Sequence, residues 1–475
     1  MKLHNTMRGT IETLQPLEQG RVSIYTCGLT VYSQPHIGNW LGYVYWDVLV
    51  RVLEANGYKV ERTQNITDVG HLVSDDDSGE DKMEKGARAE GVTAWDVASK
   101  YSRIAEHEAY DLLGLIRPDH LVPATACIDA QIAFAQALDD KGFLYRTDDG
   151  MYFDTSKLAD YGKLARLDVA GLQAGARVAM AGKRNSTDFA VWKFSPTDSQ
   201  RDMEWDSPWG KGFPGWHLEC SVIARQTLGD SIDIHTGGID HIPIHHTNEI
   251  AQTESLTGRP FASIWLHNNH IKADGTKISK SLGNIYTLDD IISRGIDLDA
   301  FKLMALSKHY RTEGNFTWQI LESHAQRLHN WRSVAVLRHQ THDTLRDDSQ
   351  KATDQQGISL LATNQAILEA LSNDLDTPAA LAIIDEAFDK LENTNLANIH
   401  QRSLTQLLEM IDNLLGLRLL ESTPDISDEA KQLIIARQRA RDEQDWSASD
   451  QARDELLEQG IALRDTAHGP VWSYK

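Results

Sequence analysis

Apolar residues in the first part of the chain recur with the two periods that distinguish strands from helices. Residues 21–28 (R-V-S-I-Y-T-C-G) alternate and are rich in β-formers, which predicts a buried strand. Apolar residues then recur at helical spacing from Ile37 to Asn56, and Gly57 stands where a glycine ends a helix. Residues 58–67 predict a second strand. This strand-helix-strand order is typical of the opening of a doubly wound parallel sheet.

Further along the chain this alternation is interrupted and then lost. Residues 94–150 predict mostly helix, and the strand-like stretches after them look inserted into the α/β order. The next predicted elements are a helix over 217–228, a strand over 231–235, a helix over 245–257 and a strand over 263–267. From about residue 290 strand patterns vanish, and helical periodicity appears in 318–340, 357–372, 378–393 and 403–417. The last segment predicts two helices over 427–444 and 448–459, and two short strands around 467–469.

These patterns predict a Rossmann-like α/β fold with an inserted domain, followed by an α-helical bundle and a small mixed α/β segment. A chain of 475 residues is too long for one core. The domains that we expect are the first half of the sheet domain in 1–112, an inserted connective domain in 113–205, the second half in 206–290, a stem-contact-like helical linker in 291–335, a helical bundle in 336–422 and a C-terminal domain in 423–475.

Composition narrows the class of protein. No run of 18 apolar residues and no apolar signal core occurs, so we expect a cytoplasmic protein without a membrane span. Three cysteines (Cys27, Cys127 and Cys220) are too few for a disulfide framework, which favours a reducing compartment. The net charge of −22 counts against nonspecific coating of nucleic acid, but it leaves room for tRNA bound by local basic strips.

Two short segments indicate an ATP site. Residues 34–39 read Q-P-H-I-G-N between the first strand and its helix, and residues 277–281 read K-I-S-K-S. Each alone also fits a bland interpretation, a capped helix or a solvated Lys/Ser loop. Together, in this order and at this distance, they resemble the ATP-handling pair of the class I aminoacyl-tRNA synthetases, so we expect an ATP site.

The physical roles of these segments follow from their position. The turn at His36 lies at the carboxyl edge of the sheet and at a helix N-terminus, where backbone N–H groups favour phosphate. Gly38 lets a flat base lie against the backbone, and His36 can donate to phosphate oxygens. Lys277 and Lys280 can neutralise charge that builds on ATP in the transition state.

Four residues form a candidate metal site. Cys27, Cys220, His245 and Glu249 fall at expected sheet-edge positions, and the last two are four apart on one helix face. Thiolate, imidazole and carboxylate together suit Zn²⁺. The residues alone leave open that Cys27 and Cys220 are ordinary core cysteines.

Longer motifs resemble a known family over nearly the whole chain. They are Y-T-C-G-L-T-V-Y and H-I-G-N (25–39), N-I-T-D (65–68), P-G-W-H-L-E-C-S (214–221), D-I-H-T-G-G-I-D and H-H-T-N-E-I-A-Q (233–252), K-I-S-K-S-L-G-N (277–284), and D-W-S-A-S-D-Q-A-R-D with G-I-A-L-R-D-T (445–466). On these segments the chain resembles the cysteinyl-tRNA synthetases.

The resemblance implies roles for individual residues. It implies one Zn²⁺ per chain on Cys27, Cys220, His245 and Glu249. It implies an ATP or catalytic role, with Mg²⁺ accompanying ATP, for His36, Gly38, Asn39, Lys277 and Lys280. It implies a cysteine pocket of Gly28, Thr67, Trp216 and His235. It also implies that the C-terminal domain reads the anticodon through Arg441, Trp446, Asp450 and Asp465, for which the residues alone suggest only surface charge and one packed tryptophan.

The resemblance therefore predicts a monomeric cysteine--tRNA ligase acting on ATP, L-cysteine and tRNA(Cys). Two alternatives remain. A ligase joining cysteine to an amino-sugar, as in mycothiol synthesis, would share the adenylation site but has no use for the C-terminal segment. A non-catalytic cysteine or tRNA sensor need not retain His36, Lys277 and Lys280.

Overall fold

A computed structural model describes residues 1–70, 81–167, 182–196, 201–279, 282–340, 360–466 and 469–475. The chain divides into two compact units. The first contains Met1–Asp290 and Tyr310–Asn315, and the second contains Ile291–His309 and Phe316–Lys475.

The elements up to residue 295 include both strands and helices. In chain order they are β1 (Lys2–Asn5), β2 (Thr10–Thr13), β3 (Arg21–Thr26), α1 (Ile37–Ala55), β4 (Lys59–Ile66), α2 (Lys82–Glu90), α3 (Ala94–Glu106), β5 (His120–Pro123), α4 (Ile128–Asp140), β6 (Leu144–Arg146), β7 (Gly150–Phe153), β8 (Phe189–Phe194), β9 (Gly212–Pro214), α5 (Trp216–Leu228), β10 (Ile232–Gly238), α6 (His245–Thr257), β11 (Ala262–Asn268), β12 (Ile271–Ala273), β13 (Thr276–Lys277) and α7 (Leu288–Ser293).

After residue 295 the described chain is mainly helical. Its elements are α8 (Leu298–Leu306), β14 (Gly314–Phe316), α9 (Trp318–Ala335), α10 (Leu360–Ser372), α11 (Thr377–Glu392), α12 (Gln401–Leu415), α13 (Asp428–Asp442), α14 (Trp446–Glu458), β15 (Ile461–Thr466) and β16 (Gly469–Tyr474).

The first unit is organised by a five-stranded parallel sheet in the order β11-β10-β3-β4-β5. Thr26 at the end of β3 pairs with Gln64 on one side and Thr236 on the other. The carboxyl ends of these strands therefore meet at one edge, where open α/β sheets bind ligands. Gly57 adopts a left-handed φ of 85° after α1, so the predicted glycine stop is confirmed.

The interruption of the α/β order is confirmed. Strands β6 to β9 form a separate four-stranded antiparallel sheet between β5 and β10 of the parallel sheet. The rings of Phe153 and Phe189 stack with centroids 5.1 Å apart in its core. The prediction of mostly helix over 94–150 was wrong at β5 and β6, because strands of three or four residues are too short to show a period.

The second unit confirms the helical bundle and the small mixed segment. Helices α10, α11 and α12 have buried apolar residues at helical spacing, and the antiparallel hairpin β15-β16 follows α13 and α14. Strand β14 was not expected after residue 290, since it has only three residues. None of the described helices combines the length and apolarity that a membrane span requires.

Candidate active site and metal centre

The candidate residues of the first unit line one cavity at the carboxyl edge of the parallel sheet. Its volume is about 660 Å³. The predicted residues that line it are Cys27, Gly28, His36, Gly38, Asn39, Thr67, Trp216, Cys220, His245 and Lys277. The structure thus brings the candidate metal ligands and the ATP segments together.

The predicted metal ligands form a buried cage. One donor atom from each of Cys27, Cys220, His245 and Glu249 lies within 4.8 Å of the others. His245 Nε2 is 3.1 Å from Glu249 Oε1, as expected for residues one helical turn apart on α6. All four side chains are buried.

A second donor set overlaps this cage. Cys27 and Glu249 also converge with His235 and His246 within the same distance limit. His246 Nε2 lies 3.3 Å from Cys27 Sγ, and His235 Nε2 lies 2.8 Å from Glu249 Oε2. The cage therefore contains six candidate metal ligands, and the predicted set is one of two sets of four that could bind a metal ion.

Two of the four cage side chains, Cys220 and Glu249, ionise readily, whereas burial and the neighbouring Cys220 raise the pKa of the Cys27 thiol. Burial opposes ionisation of Cys220, but its hydrogen bond with Cys27 and the nearby His245 outweigh burial and lower the pKa of the thiol to about 6. Burial likewise opposes ionisation of Glu249, yet His235 and His245 lower the pKa of that carboxyl to about 2. Buried anions with thiolate, imidazole and carboxylate donors are the chemistry that Zn²⁺ prefers.

A histidine array behind the cage was missed from the sequence. His246 Nδ1 lies 2.8 Å from His267 Nε2, and His267 Nδ1 lies 2.8 Å from Thr6 Oγ1. The pairing of the strands could have indicated this array, because His235 and His267 lie in the adjacent parallel strands β10 and β11. His235 is fully buried and stacks on Trp265 at 4.5 Å, so it lies behind the cage rather than on the cavity wall.

The proposed cysteine pocket lies next to the cage. The Gly28 N–H donates to Asn65 Oδ1 at 2.7 Å, and Asn65 Nδ2 donates to Thr67 Oγ1 at 3.0 Å. Thr67 in turn donates to the buried carboxylate of Glu219, a residue that the sequence analysis did not single out. The Trp216 ring lies against His245 with centroids 4.6 Å apart. The predicted pocket residues are thus fixed by hydrogen bonds and ring packing.

The ATP end is built on the N-terminus of α1. Asn39 Oδ1 accepts from the His36 N–H at 2.9 Å, so this side chain caps the helix as well as lining the cavity. Among the described residues, buried His36 Nδ1 has no hydrogen-bond partner, and burial lowers the pKa of this imidazole. A Cβ on Gly38 would lie 3.0 Å from the His36 ring and 3.1 Å from Ile278, so a larger residue there would push on both side chains. Lys277 is exposed on β13, and Lys280 lies outside the described residues.

The anticodon candidates lie together on α13, α14 and β15. Arg441 Nη1 is 3.2 Å from Asp465 Oδ2, and Arg437 donates to both oxygens of Asp465 at 2.9 Å. Arg437 was missed, although it precedes Arg441 by one helical turn. Trp446 is 59% exposed, and the exposed Asp450 pairs with a neighbouring arginine on α14. Asp465 is therefore held by arginines, whereas Trp446 presents a free ring face.

Comparisons with known proteins agree with this geometry. Residues 13–326 match the family model "tRNA synthetases class I (C) catalytic domain", and residues 423–472 match "Cysteinyl-tRNA ligase anticodon binding domain". Cysteine--tRNA ligase 1 of Burkholderia lata is 44% identical and covers 99% of this chain and 96% of the relative. Cysteine--tRNA ligase of Novosphingobium aromaticivorans is 39% identical, with 98% and 95% covered.

A solved structure supports the fold alone. Methionyl-tRNA synthetase of Mycobacterium tuberculosis, in complex with methionyl-adenylate, aligns with a TM-score of 0.62 at 14% identity, covering 85% of this chain and 93% of that one. Both the family models and the full-length relatives lead to the same conclusion. The chain belongs to the cysteine--tRNA ligase family of class I aminoacyl-tRNA synthetases.

Proposed function

We propose that this protein attaches L-cysteine to tRNA(Cys) in two ATP-dependent steps. The cysteine carboxylate attacks the α-phosphate of ATP, which forms cysteinyl-adenylate and releases pyrophosphate. A hydroxyl of the terminal ribose of the tRNA then attacks the cysteinyl carbonyl and AMP leaves. The observation that carries the proposal is the shared cavity, which is lined by Cys27, Cys220 and His245 of the cage and by residues of both ATP segments.

The metal site supports the choice of amino acid. Cys27, Cys220, His245 and Glu249 would hold Zn²⁺, which when bound supplies a site for a sulfur ligand that the hydroxyl of serine matches poorly. Apolar packing alone discriminates small isosteric differences weakly. The pocket wall of Trp216 and the hydrogen-bonded Thr67 would orient the rest of the amino acid.

The ATP end would act through position and charge. The positive end of the α1 helix dipole and the His36 imidazole would favour the phosphates, and Lys277 would offset charge that develops as pyrophosphate leaves. Gly38 keeps the helix start open to the nucleotide. Lys280 and an accompanying Mg²⁺ stay predictions from the sequence.

The C-terminal segment separates this proposal from the amino-sugar ligase. Arg437, Arg441 and Asp465 fix the surface beside the exposed Trp446, and an aromatic ring of this kind suits an unstacked base. Recognition of the GCA anticodon there is part of the proposal. A monomeric state and a cytoplasmic location stay predictions from the sequence.

The direct test is cysteine-dependent exchange of labelled pyrophosphate into ATP, with serine as control, followed by charging of a tRNA transcript that carries a GCA anticodon. We expect exchange with cysteine but not serine, and charging that fails when the anticodon is changed. Exchange without charging would favour the amino-sugar ligase. If the folded protein with bound zinc shows no exchange, the remaining alternative is the non-catalytic cysteine or tRNA sensor.

A further inference from the structure

One side chain beside the ATP end joins two carboxylates from distant parts of the sequence. Gln34 precedes the His36 turn by two residues. Its Nε2 lies 3.1 Å from Glu108 Oε1 and 2.8 Å from Asp289 Oδ2. An amide NH₂ has two N–H groups and can serve both acceptors. We call these three side chains the Gln34 bridge.

The Glu108 side of the bridge holds both flanks of the turn at residues 36–39. Glu108 lies in a π-helical turn, His107–Leu112, that continues α3, and such turns are frequent at functional sites. It is only 2% exposed, and its second oxygen accepts from Trp40 Nε1 at 2.7 Å. Gln34 and Trp40 flank the turn, so one buried carboxylate fixes the chain before and after it.

The Asp289 side reaches the chain that follows the K-I-S-K-S segment. Asp289 lies in the first turn of α7. Close by, the Ile37 N–H donates to the carbonyl oxygen of Tyr286 at 2.8 Å. A backbone hydrogen bond and the Gln34 side chain therefore both tie residues 286–289 to the turn at the start of α1.

The same chain is also fixed to Lys277. Asn284 Oδ1 accepts from the Ser279 N–H at 2.9 Å, and Asn284 Nδ2 donates to the Lys277 carbonyl oxygen at 3.1 Å. Asn284 is buried, so its side chain is held in place where it makes these bonds. A displacement of residues 284–289 would consequently shift the backbone at Lys277.

We propose that Gln34 is a positioning residue for adenylate formation, acting through Asp289 on the segment that carries Lys277. Loss of the amide would release residues 284–289 and move the cation away from the site of charge development, where small displacements are costly. This inference rests on the proposed function.

The test compares Gln34→Leu with the wild-type protein. We expect kcat for pyrophosphate exchange to fall about tenfold, within the range known for displaced catalytic groups, while KM for cysteine and the zinc content stay unchanged. Asp289→Ala should give the same loss, and the double variant no further loss, because both changes break one link. The matched control is Gln365→Leu, which removes an exposed glutamine-to-carboxylate bond of 2.8 Å on α10.

A second readout does not depend on the reaction. Amide hydrogen exchange of Ile37 should become faster in Gln34→Leu but not in Gln365→Leu, because its acceptor at Tyr286 loses its support. Unchanged kcat, or a lower kcat with unchanged exchange at Ile37, would overturn the positioning role. If the wild-type protein itself lacks pyrophosphate exchange, the proposed function fails, and amide exchange still decides whether Gln34 holds this segment.

Discussion

The two ends of the cavity are built in different ways. The cage side chains of α5 and α6 are buried on regular helices, with Glu249 bonded by His235 and His245. At the ATP end, Lys277 is exposed on a two-residue strand, and the His36 imidazole retains a buried nitrogen without a partner. Under the proposed function, the amino acid would be selected among fixed, buried side chains, and the charge chemistry would take place at the more exposed end.

The largest effect is expected from breaking the cage. Cys220→Ser should lose bound zinc and reduce cysteine-dependent exchange by more than about 100-fold, since loss of a residue that only supports a metal ligand already costs about 10 to 100-fold. Zinc is measured by elemental analysis on the same sample. Cys127→Ser is the matched control, because that cysteine lies outside both donor sets. Full zinc and full activity in Cys220→Ser would rule out the predicted donor set and leave the set that contains His235 and His246.

A second pair of variants separates the two donor sets. His245→Asn should weaken zinc binding more than His246→Asn, which should cost about 10 to 100-fold as an outer partner. Competition with a chromophoric chelator measures both affinities. The opposite order would place the metal on the set that contains His235 and His246.

The ATP end can be damaged while the metal site stays intact. In Gly38→Ala the new methyl group meets the His36 ring and Ile278, so we expect kcat for pyrophosphate exchange to fall about tenfold. Zinc content should remain at the wild-type level. Gly86→Ala is the control, because a Cβ at that helical glycine finds its nearest neighbour at 3.4 Å. Loss of zinc in Gly38→Ala would show that the two ends are not independent.

The smallest effect is expected at the helix cap. Asn39→Ala removes the acceptor for the His36 N–H and should lower the free energy of unfolding by about 1 kcal/mol. Asn39→Asp keeps an acceptor and should restore most of that stability. Denaturant unfolding of the three proteins measures this, and equal stability of both variants would show that the cap contributes nothing.

The sequence predicts the long elements of this fold better than its short ones. Helices α1 and α6 and strands β3, β4 and β10 follow from periodicity, because each has enough residues to show one. Strands β5 and β14 have four and three residues and show no period. The inserted sheet was recognised because strand-like stretches broke the α/β order.

The site could be predicted only where short motifs identify it. Cys27 and Cys220 remained possible core cysteines until the family resemblance was considered, since no local spacing joins residues 193 positions apart. Glu108 and Gln34 could not be paired at all, because the hydrogen bond depends on how α3 continues into a π-helical turn. Arg437 could have been predicted from the sequence, because it lies one helical turn before Arg441 on the same helix face.

Under the proposed function, selectivity for cysteine arises from the cage and not from the ATP end. The most direct measurement is calorimetric binding of cysteine and serine to the zinc-loaded protein and to protein stripped by a chelator. The account predicts a preference for cysteine of at least about 100-fold with zinc, beyond what pocket shape alone provides, and little preference without it. An equal preference in both forms would contradict the claim.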